Sequence, residues 1–93
     1  MLLDKEFLDK NQIRELVLLK VLEQPRNMDI NDILRLIPNT LPKSKINFKI
    51  ECYYSWWRVG YFTNDIKLIV TDSYELIDGL YGLVYTLKNQ NLI

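Results

Sequence analysis

The sequence contains no histidine and a single cysteine, Cys52. Without histidine, and with only one thiol, the usual ligand sets for zinc and iron are missing, so we expect no metal site and no cofactor. A lone cysteine also cannot form a disulfide within the chain. Because histidine is the commonest general base, and no carboxylate, lysine or tyrosine shows catalytic spacing, we expect that the protein is not an enzyme.

Long apolar runs and net charge are missing as well. No segment approaches the roughly 20 apolar residues that span a bilayer, so we expect no membrane association. Residues 1–6 lack the apolar core of a signal peptide, and we therefore expect a cytoplasmic protein. The 12 basic and 12 acidic residues balance each other. Binding to nucleic acid would therefore depend on where the charges lie and not on their total.

What is present is the composition of an ordinary globular domain. Of the 93 residues, 48% are hydrophobic and 26% are charged, which is typical of a folded protein with one modest core. No internal repeat, low-complexity tract or linker divides the chain. The sequence therefore predicts a single domain over residues 1–93.

The first half of the chain is predicted to be helical. Dense apolar residues predict a helix from about Asp9 to Gln24, where a proline follows. A second, short helix is expected between an N-cap at Asp29 or Asn31 and the proline at position 38.

The segment after residue 43 allows two interpretations. A helix with Ser44 as its N-cap would carry one narrow apolar face. The members of that face are Ile46, Ile50, Tyr53 and Trp57. A strand is the alternative, because apolar and polar residues alternate from 46 to 52. We favour the helix, since its apolar stripe extends to Trp57 whereas the alternation stops at residues 53–54.

A hairpin is predicted next. Gly60 is expected to end the third helix. Tyr61-Phe62 and residues 66–70 then predict two short strands, joined by the turn Thr63-Asn64-Asp65.

The final helix is expected to run from a capping box of Asp72 and Glu75 to about Asn89. Its apolar stripe, together with apolar residues near the start of the chain, exceeds what one small core readily covers, so we expect a homodimer. The alternative is that these residues complete the core of the monomer. The expected interface residues are Leu3, Phe7, Tyr74, Ile77, Tyr81, Val84 and Leu87.

The order of these elements resembles the winged helix-turn-helix DNA-binding superfamily, in particular its small MarR-like and PadR-like regulators and their relatives from archaeal viruses and plasmids. The segment Val59-Gly60-Tyr61-Phe62 is similar to the end of the family's recognition helix, and residues 67–72 are similar to its wing strand and the cap that follows. The chain departs from the family at Ser73-Tyr74, where a glycine is usual, and in its short wing tip. The resemblance implies an α+β, mostly α fold, a winged helix-turn-helix with a short β-hairpin wing and a C-terminal dimerisation helix.

Local charge agrees with a DNA-binding function. Residues 43–58 hold four basic residues and one acidic residue in a chain without net charge. In a recognition helix, the N-terminal half would meet base edges and the remaining cations would meet phosphates. The alternative is that the lysines form a solvated surface. The candidate DNA-binding residues are Lys43, Ser44, Lys45, Asn47, Phe48, Lys49 and Arg58, with Asn64 and Lys67 on the wing.

We therefore expect a homodimeric transcriptional regulator that binds specific double-stranded DNA. The alternative is an interaction module that binds a protein, for instance an inhibitor or assembly factor of a mobile element, and does not bind DNA. The absence of net charge and the surplus of aromatic residues favour this alternative.

Overall fold

A computed structural model describes residues 5–93. Within that range there are three helices and one three-stranded antiparallel sheet, in which the strands lie in sequence order. The elements are α1 (Lys10–Leu18), α2 (Ile30–Leu34), β1 (Phe48–Tyr53), β2 (Trp56–Phe62), β3 (Lys67–Ser73) and α3 (Leu76–Asn89). The fold is 31% helix and 27% strand, so the expectation of a mostly α protein is wrong.

The segment predicted as a recognition helix is instead the hairpin formed by β1 and β2. Phe48 is the partner of Tyr61, and Tyr53 is the partner of Trp56, which leaves Tyr54-Ser55 as the turn between the strands. The prediction of a winged helix-turn-helix is therefore wrong, and the strand alternative is correct. The alternation of apolar and polar residues stops at residues 53–54 because the chain turns there, and it resumes in β2 after the turn.

Gly60 does not end a helix but lies within β2, opposite Val70 of β3. Its φ is 146°, a backbone conformation that residues with a side chain rarely adopt. A Cβ at this position would overlap the carbonyl oxygen of Ile69 and lie 2.9 Å from the Cα of Val70. Glycine is therefore required for the close approach of β3 to β2.

Both early helices begin where the sequence predicts. The Asp9 carboxylate accepts a hydrogen bond from the backbone N–H of Gln12 at 2.8 Å, and the Gln12 side chain accepts one from the Asp9 N–H at 3.0 Å. Asp29 and Asp32 form the same reciprocal capping box at the start of α2. The prediction that α1 extends to residue 24 is wrong, because α1 ends before Lys20, whose φ is 63°.

The predicted hairpin after Gly60 is confirmed as the β2–β3 pair. Tyr61 lies opposite Ile69, and the N–H of Thr63 donates to the carbonyl oxygen of Ile66 at 2.7 Å to close the turn. These strands belong to the main sheet and do not form a separate wing.

The final helix begins later than predicted. Glu75 is its N-cap, and the Glu75 side chain makes no capping hydrogen bond. The predicted capping box of Asp72 and Glu75 is wrong, because Asp72 lies in β3 and is the cross-strand partner of Arg58.

The core lies between the helices and one face of the sheet. Gly79 and Gly82 of α3 approach Val59, Thr71 and Ser73, which places α3 against the face that these residues share. The hydroxyl of the buried Tyr61 donates to the carbonyl oxygen of Pro38 at 2.6 Å, which ties the sheet to the loop after α2. Burial raises the pKa of Tyr61 to about 12. The fully buried side chains of the core are Leu16, Met28, Ile33, Val59, Tyr61, Ile77, Leu80, Leu83, Val84 and Leu87.

Within residues 5–93, each helix is too short or too polar to traverse a lipid bilayer.

Candidate functional site

The sheet presents a second face that points away from α3. Successive side chains of a strand point to opposite faces, so the neighbours of Val59, Thr71 and Cys52 lie on this second face. Six of its side chains are half-buried or exposed. We refer to them as the open sheet face, which consists of Lys49, Glu51, Tyr53, Trp56, Arg58 and Asp72.

Two aromatic rings and a guanidinium group pack together on the open sheet face near the turn between β1 and β2. Tyr53 and Trp56 stack with their ring centroids 4.6 Å apart and their planes at 20°. The Arg58 guanidinium carbon lies 5.3 Å from the Trp56 ring centroid and 5.8 Å from the Tyr53 ring centroid. These distances are within the range of cation–π contacts. The stack and the arginine therefore hold each other in place.

Arg58 is also bound by a carboxylate on the neighbouring strand. Its Nε donates to Asp72 Oδ1 at 2.8 Å, and its second guanidinium nitrogen donates to Oδ2 at 3.0 Å. The hydrogen bond and the positive charge of Arg58 hold the pKa of Asp72 below its usual value. Because this fork-like pairing is bidentate, it fixes the orientation of the guanidinium plane.

A second carboxylate neutralises the other cation. Glu51 accepts a hydrogen bond from the hydroxyl of Tyr53. It also forms an ion pair with Lys49, in which Lys49 Nζ lies 3.2 Å from Glu51 Oε1. The hydrogen bonds from Tyr53 and Lys49 lower the pKa of Glu51. Lys49 Nζ also lies 5.0 Å from the centroid of the Phe62 ring. Both cations of the open sheet face therefore have a carboxylate partner.

Two further tyrosines lie at the turn end of this face. Tyr54 is 100% exposed and has a φ of 44°, and Tyr74, directly after β3, is 79% exposed. A surface pocket of about 370 Å³ lies beside Tyr74. Its lining residues are Trp56, Asp72, Ser73 and Tyr74.

The predicted DNA-binding residues do not lie on one helix. Lys49 and Arg58 belong to the open sheet face, and Phe48 is partly buried against the core, with its ring centroid 6.1 Å from that of Tyr61. The Asn47 side chain accepts a hydrogen bond from Thr40 at 2.8 Å. None of these side chains projects from a helix toward a groove of DNA.

The other predicted DNA-binding residues gather at the end of the sheet opposite Tyr54. The loop before β1 and the turn between β2 and β3 adjoin the same cross-strand pair, Phe48 and Tyr61. Lys43 and Lys45 in the loop and Asn64 in the turn are exposed, as is Lys67 at the start of β3. The Ser44 hydroxyl donates to the carbonyl oxygen of Leu41 at 3.1 Å. This end of the sheet is the more basic one.

The predicted dimer residues are divided between core and surface. Ile77, Val84 and Leu87 are fully buried in the protein's own core, where a second copy could not reach them. Phe7 is 51% exposed and Tyr74 is 79% exposed. Tyr81 is partly buried, and Leu3 lies outside the described residues.

Sequence reasoning did not find Tyr53, Tyr54, Trp56, Asp72 and Tyr74 as one surface. The available signal was the symmetry of the segment Tyr53-Tyr54-Ser55-Trp56, in which two aromatic residues flank a two-residue turn.

Within the described part of the chain, no group of three or more histidine, cysteine or acidic side chains could hold a metal ion.

A comparison with known proteins gives no matching family model, no matching curated protein and no matching solved structure. The functional conclusions therefore rest on the chemistry of the open sheet face and its surroundings.

Proposed function

We propose that this protein is a protein–protein interaction module that binds its partner through the open sheet face and the adjoining Tyr54 turn. The few residues that dominate the binding energy of protein interfaces are enriched in tryptophan, tyrosine and arginine, and Tyr53, Trp56 and Arg58 lie together here. Because these side chains already hold each other in place, little conformational entropy is lost when a partner binds. We expect the module to act in the cytoplasm.

The observation that carries this proposal is Tyr54. Its side chain is fully exposed, and its φ of 44° lies in the left-handed region, where glycine or asparagine is the favoured residue. A tyrosine at this position therefore costs local stability, and its fully exposed side chain gains no burial in return. Such costs tend to be retained at binding sites. A contact made by Tyr54 with a partner explains its presence.

Electrostatics favour a protein partner over nucleic acid at this face. Affinity for nucleic acid comes largely from cations that neutralise phosphates. Arg58 and Lys49 are instead paired with Asp72 and Glu51 on the same surface. Both carboxylates would also repel a phosphate backbone.

Binding of duplex DNA is a second candidate function, and it is favoured by the basic end of the sheet. Lys43 and Lys45 are exposed, and neither makes an ion pair within the described residues. Lys67 and Asn64 lie at the same end. Contacts from these side chains would be mainly with phosphates, so this function predicts weak sequence preference and a steep dependence on salt.

Selection of peptides tests the proposed function. Random peptides displayed on phage are selected on the immobilised wild-type protein and then measured on Trp56→Ala. Trp56 is not part of the buried core, so this variant is expected to fold, which circular dichroism checks. We expect enriched peptides whose affinity falls at least about tenfold on Trp56→Ala, because truncation of an interface tryptophan costs about 2 kcal/mol or more.

The contrary results are equally clear. If no peptide is enriched, or if the enriched peptides bind Trp56→Ala as tightly as wild type, the open sheet face is not the binding surface.

A parallel selection from a pool of random DNA duplexes tests the second candidate function. Duplexes retained at about 50 mM salt, released at about 200 mM salt and lost in a Lys43→Ala/Lys45→Ala variant would support DNA binding.

A further inference from the structure

A surface groove lies away from the sheet, between α1 and the loop before α2. It has a volume of about 490 Å³. Its lining residues are Lys10, Ile13, Arg14, Val17, Leu18, Pro25, Arg26 and Asn27. None of them belongs to the open sheet face.

The floor and rim of this groove differ in chemistry. Ile13, Val17 and Pro25 give an apolar floor, and Leu18 is 67% exposed at its side. Leu18 is a large apolar side chain that the fold leaves uncovered, although it lies in a helix whose other apolar residues are mostly covered. An apolar partner surface would cover it.

Three cations surround this floor, and no acidic residue is among the lining residues. Lys10 and Arg14 lie one helical turn apart on the groove side of α1, and neither makes an ion pair within residues 5–93. Arg26, on the facing loop, reaches Asp32 only at 4.0 Å. The groove is therefore locally positive in a chain whose total charge is zero.

From this combination we infer that the groove is a second docking site, which binds an acidic amphipathic peptide segment of a partner protein. Apolar side chains of the segment enter between α1 and Pro25, and its carboxylates meet Lys10, Arg14 and Arg26. The concave shape fits a peptide better than a membrane surface, and the lining residues include no aromatic ring for base stacking. With the open sheet face, this site would make the protein an adaptor that binds two partners.

A labelled synthetic peptide tests this site. The probe is a helix-forming peptide of about 14 residues, with leucines at helical spacing on one face and glutamates elsewhere. A matched peptide has lysine in place of glutamate. Fluorescence anisotropy measures their binding to wild type, Arg14→Glu, Leu18→Ser and Lys88→Glu. Lys88 is a solvent-accessible lysine in the last turn of α3 and does not line the groove, so Lys88→Glu is the matched control for the charge change.

We expect wild type to bind the acidic peptide and not the lysine peptide. Arg14→Glu and Leu18→Ser should each weaken binding at least about fivefold, and Lys88→Glu should leave it within about twofold. Both Arg14 and Leu18 are solvent-accessible, so their variants should keep the circular dichroism of wild type.

Several results would overturn the inference. The first is equal binding of the two peptides, and the second is binding of the acidic peptide that Arg14→Glu does not change. The third is that neither peptide binds, while anionic lipid vesicles or duplex DNA retain the protein and this retention is weakened by Arg14→Glu. Failure here is distinguishable from failure of the proposed function. The groove variants leave Trp56 and Tyr54 intact, so the peptides selected on the open sheet face should bind them normally.

Discussion

At the scale of single residues, Gly60 has the strictest requirement in the fold. Sequence reasoning identified it as important but assigned it to the end of a helix. The actual reason is the close approach of two strands, since any Cβ would overlap the backbone of β3 at Ile69. A glycine signals an unusual backbone without saying which kind, because helix ends and strand contacts both favour it.

Gly60→Ala is therefore expected to be severely destabilising. The methyl group must displace backbone and not a flexible side chain, so we expect a loss of at least about 3 kcal/mol in the free energy of unfolding, or failure to fold. Urea denaturation measures the loss. Gly82→Ala is the matched control, because its added methyl meets a side-chain methyl of Thr71 at 2.9 Å, and alanine favours a helix over glycine by about 1 kcal/mol. Similar losses in the two variants would contradict this explanation.

At the scale of elements, local signals predicted what local interactions decide. The starts of α1 and α2 were predictable because Asp9 and Asp29 form capping boxes with residues three positions later. The β2–β3 hairpin was predictable from alternation and turn residues. The end of α1 was not predictable, because no residue type near it indicates the positive φ of Lys20.

The β1–β2 hairpin was missed for a different physical reason. The apolar residues Ile46, Ile50, Tyr53 and Trp57 have a spacing that also fits one face of a helix. Tertiary packing decides between helix and strand here. Val59 and Tyr61 are fully buried against the helical layer, and the preference of a segment for a strand depends on such packing. The open sheet face depends on that hairpin, so it could not be predicted either.

The cross-strand pair of Arg58 and Asp72 gives the sheet a pH dependence. Because the pKa of Asp72 is lowered in the folded protein, the stability it contributes is present above its usual value of 3.8 and is lost as pH falls through the lower, folded value. Asp72→Asn should therefore be less stable than wild type at about pH 6, with the difference shrinking toward about pH 2.5.

Urea denaturation at several pH values measures this difference. Asp65→Asn is the control, because Asp65 is an exposed turn carboxylate without an ion pair in the described residues, and this substitution should change the curve little. A deficit of Asp72→Asn that stays constant from about pH 6 to about pH 2.5 would show that the ion pair contributes nothing.

At the scale of the whole molecule, the fold distributes its charged and apolar surface residues among three regions. The aromatic turn end of the sheet carries paired charges, the opposite end carries exposed lysines, and the groove beside α1 carries cations around an apolar floor. The absence of net charge thus conceals local charge of both signs. Composition alone favoured an interaction module, but only the folded arrangement shows which residues would make the contacts.

The most direct test is a paired measurement on Tyr54→Asn, with the free energy of unfolding and the affinity for a peptide selected on the open sheet face determined on the same protein. Asparagine tolerates the left-handed backbone, so we expect stability to be unchanged or to rise by up to about 1 kcal/mol. Affinity should fall at least about tenfold, because the exposed ring is lost from the interface. Unchanged affinity, or a loss of stability that accompanies the loss of binding, would contradict the assignment of Tyr54 to a partner.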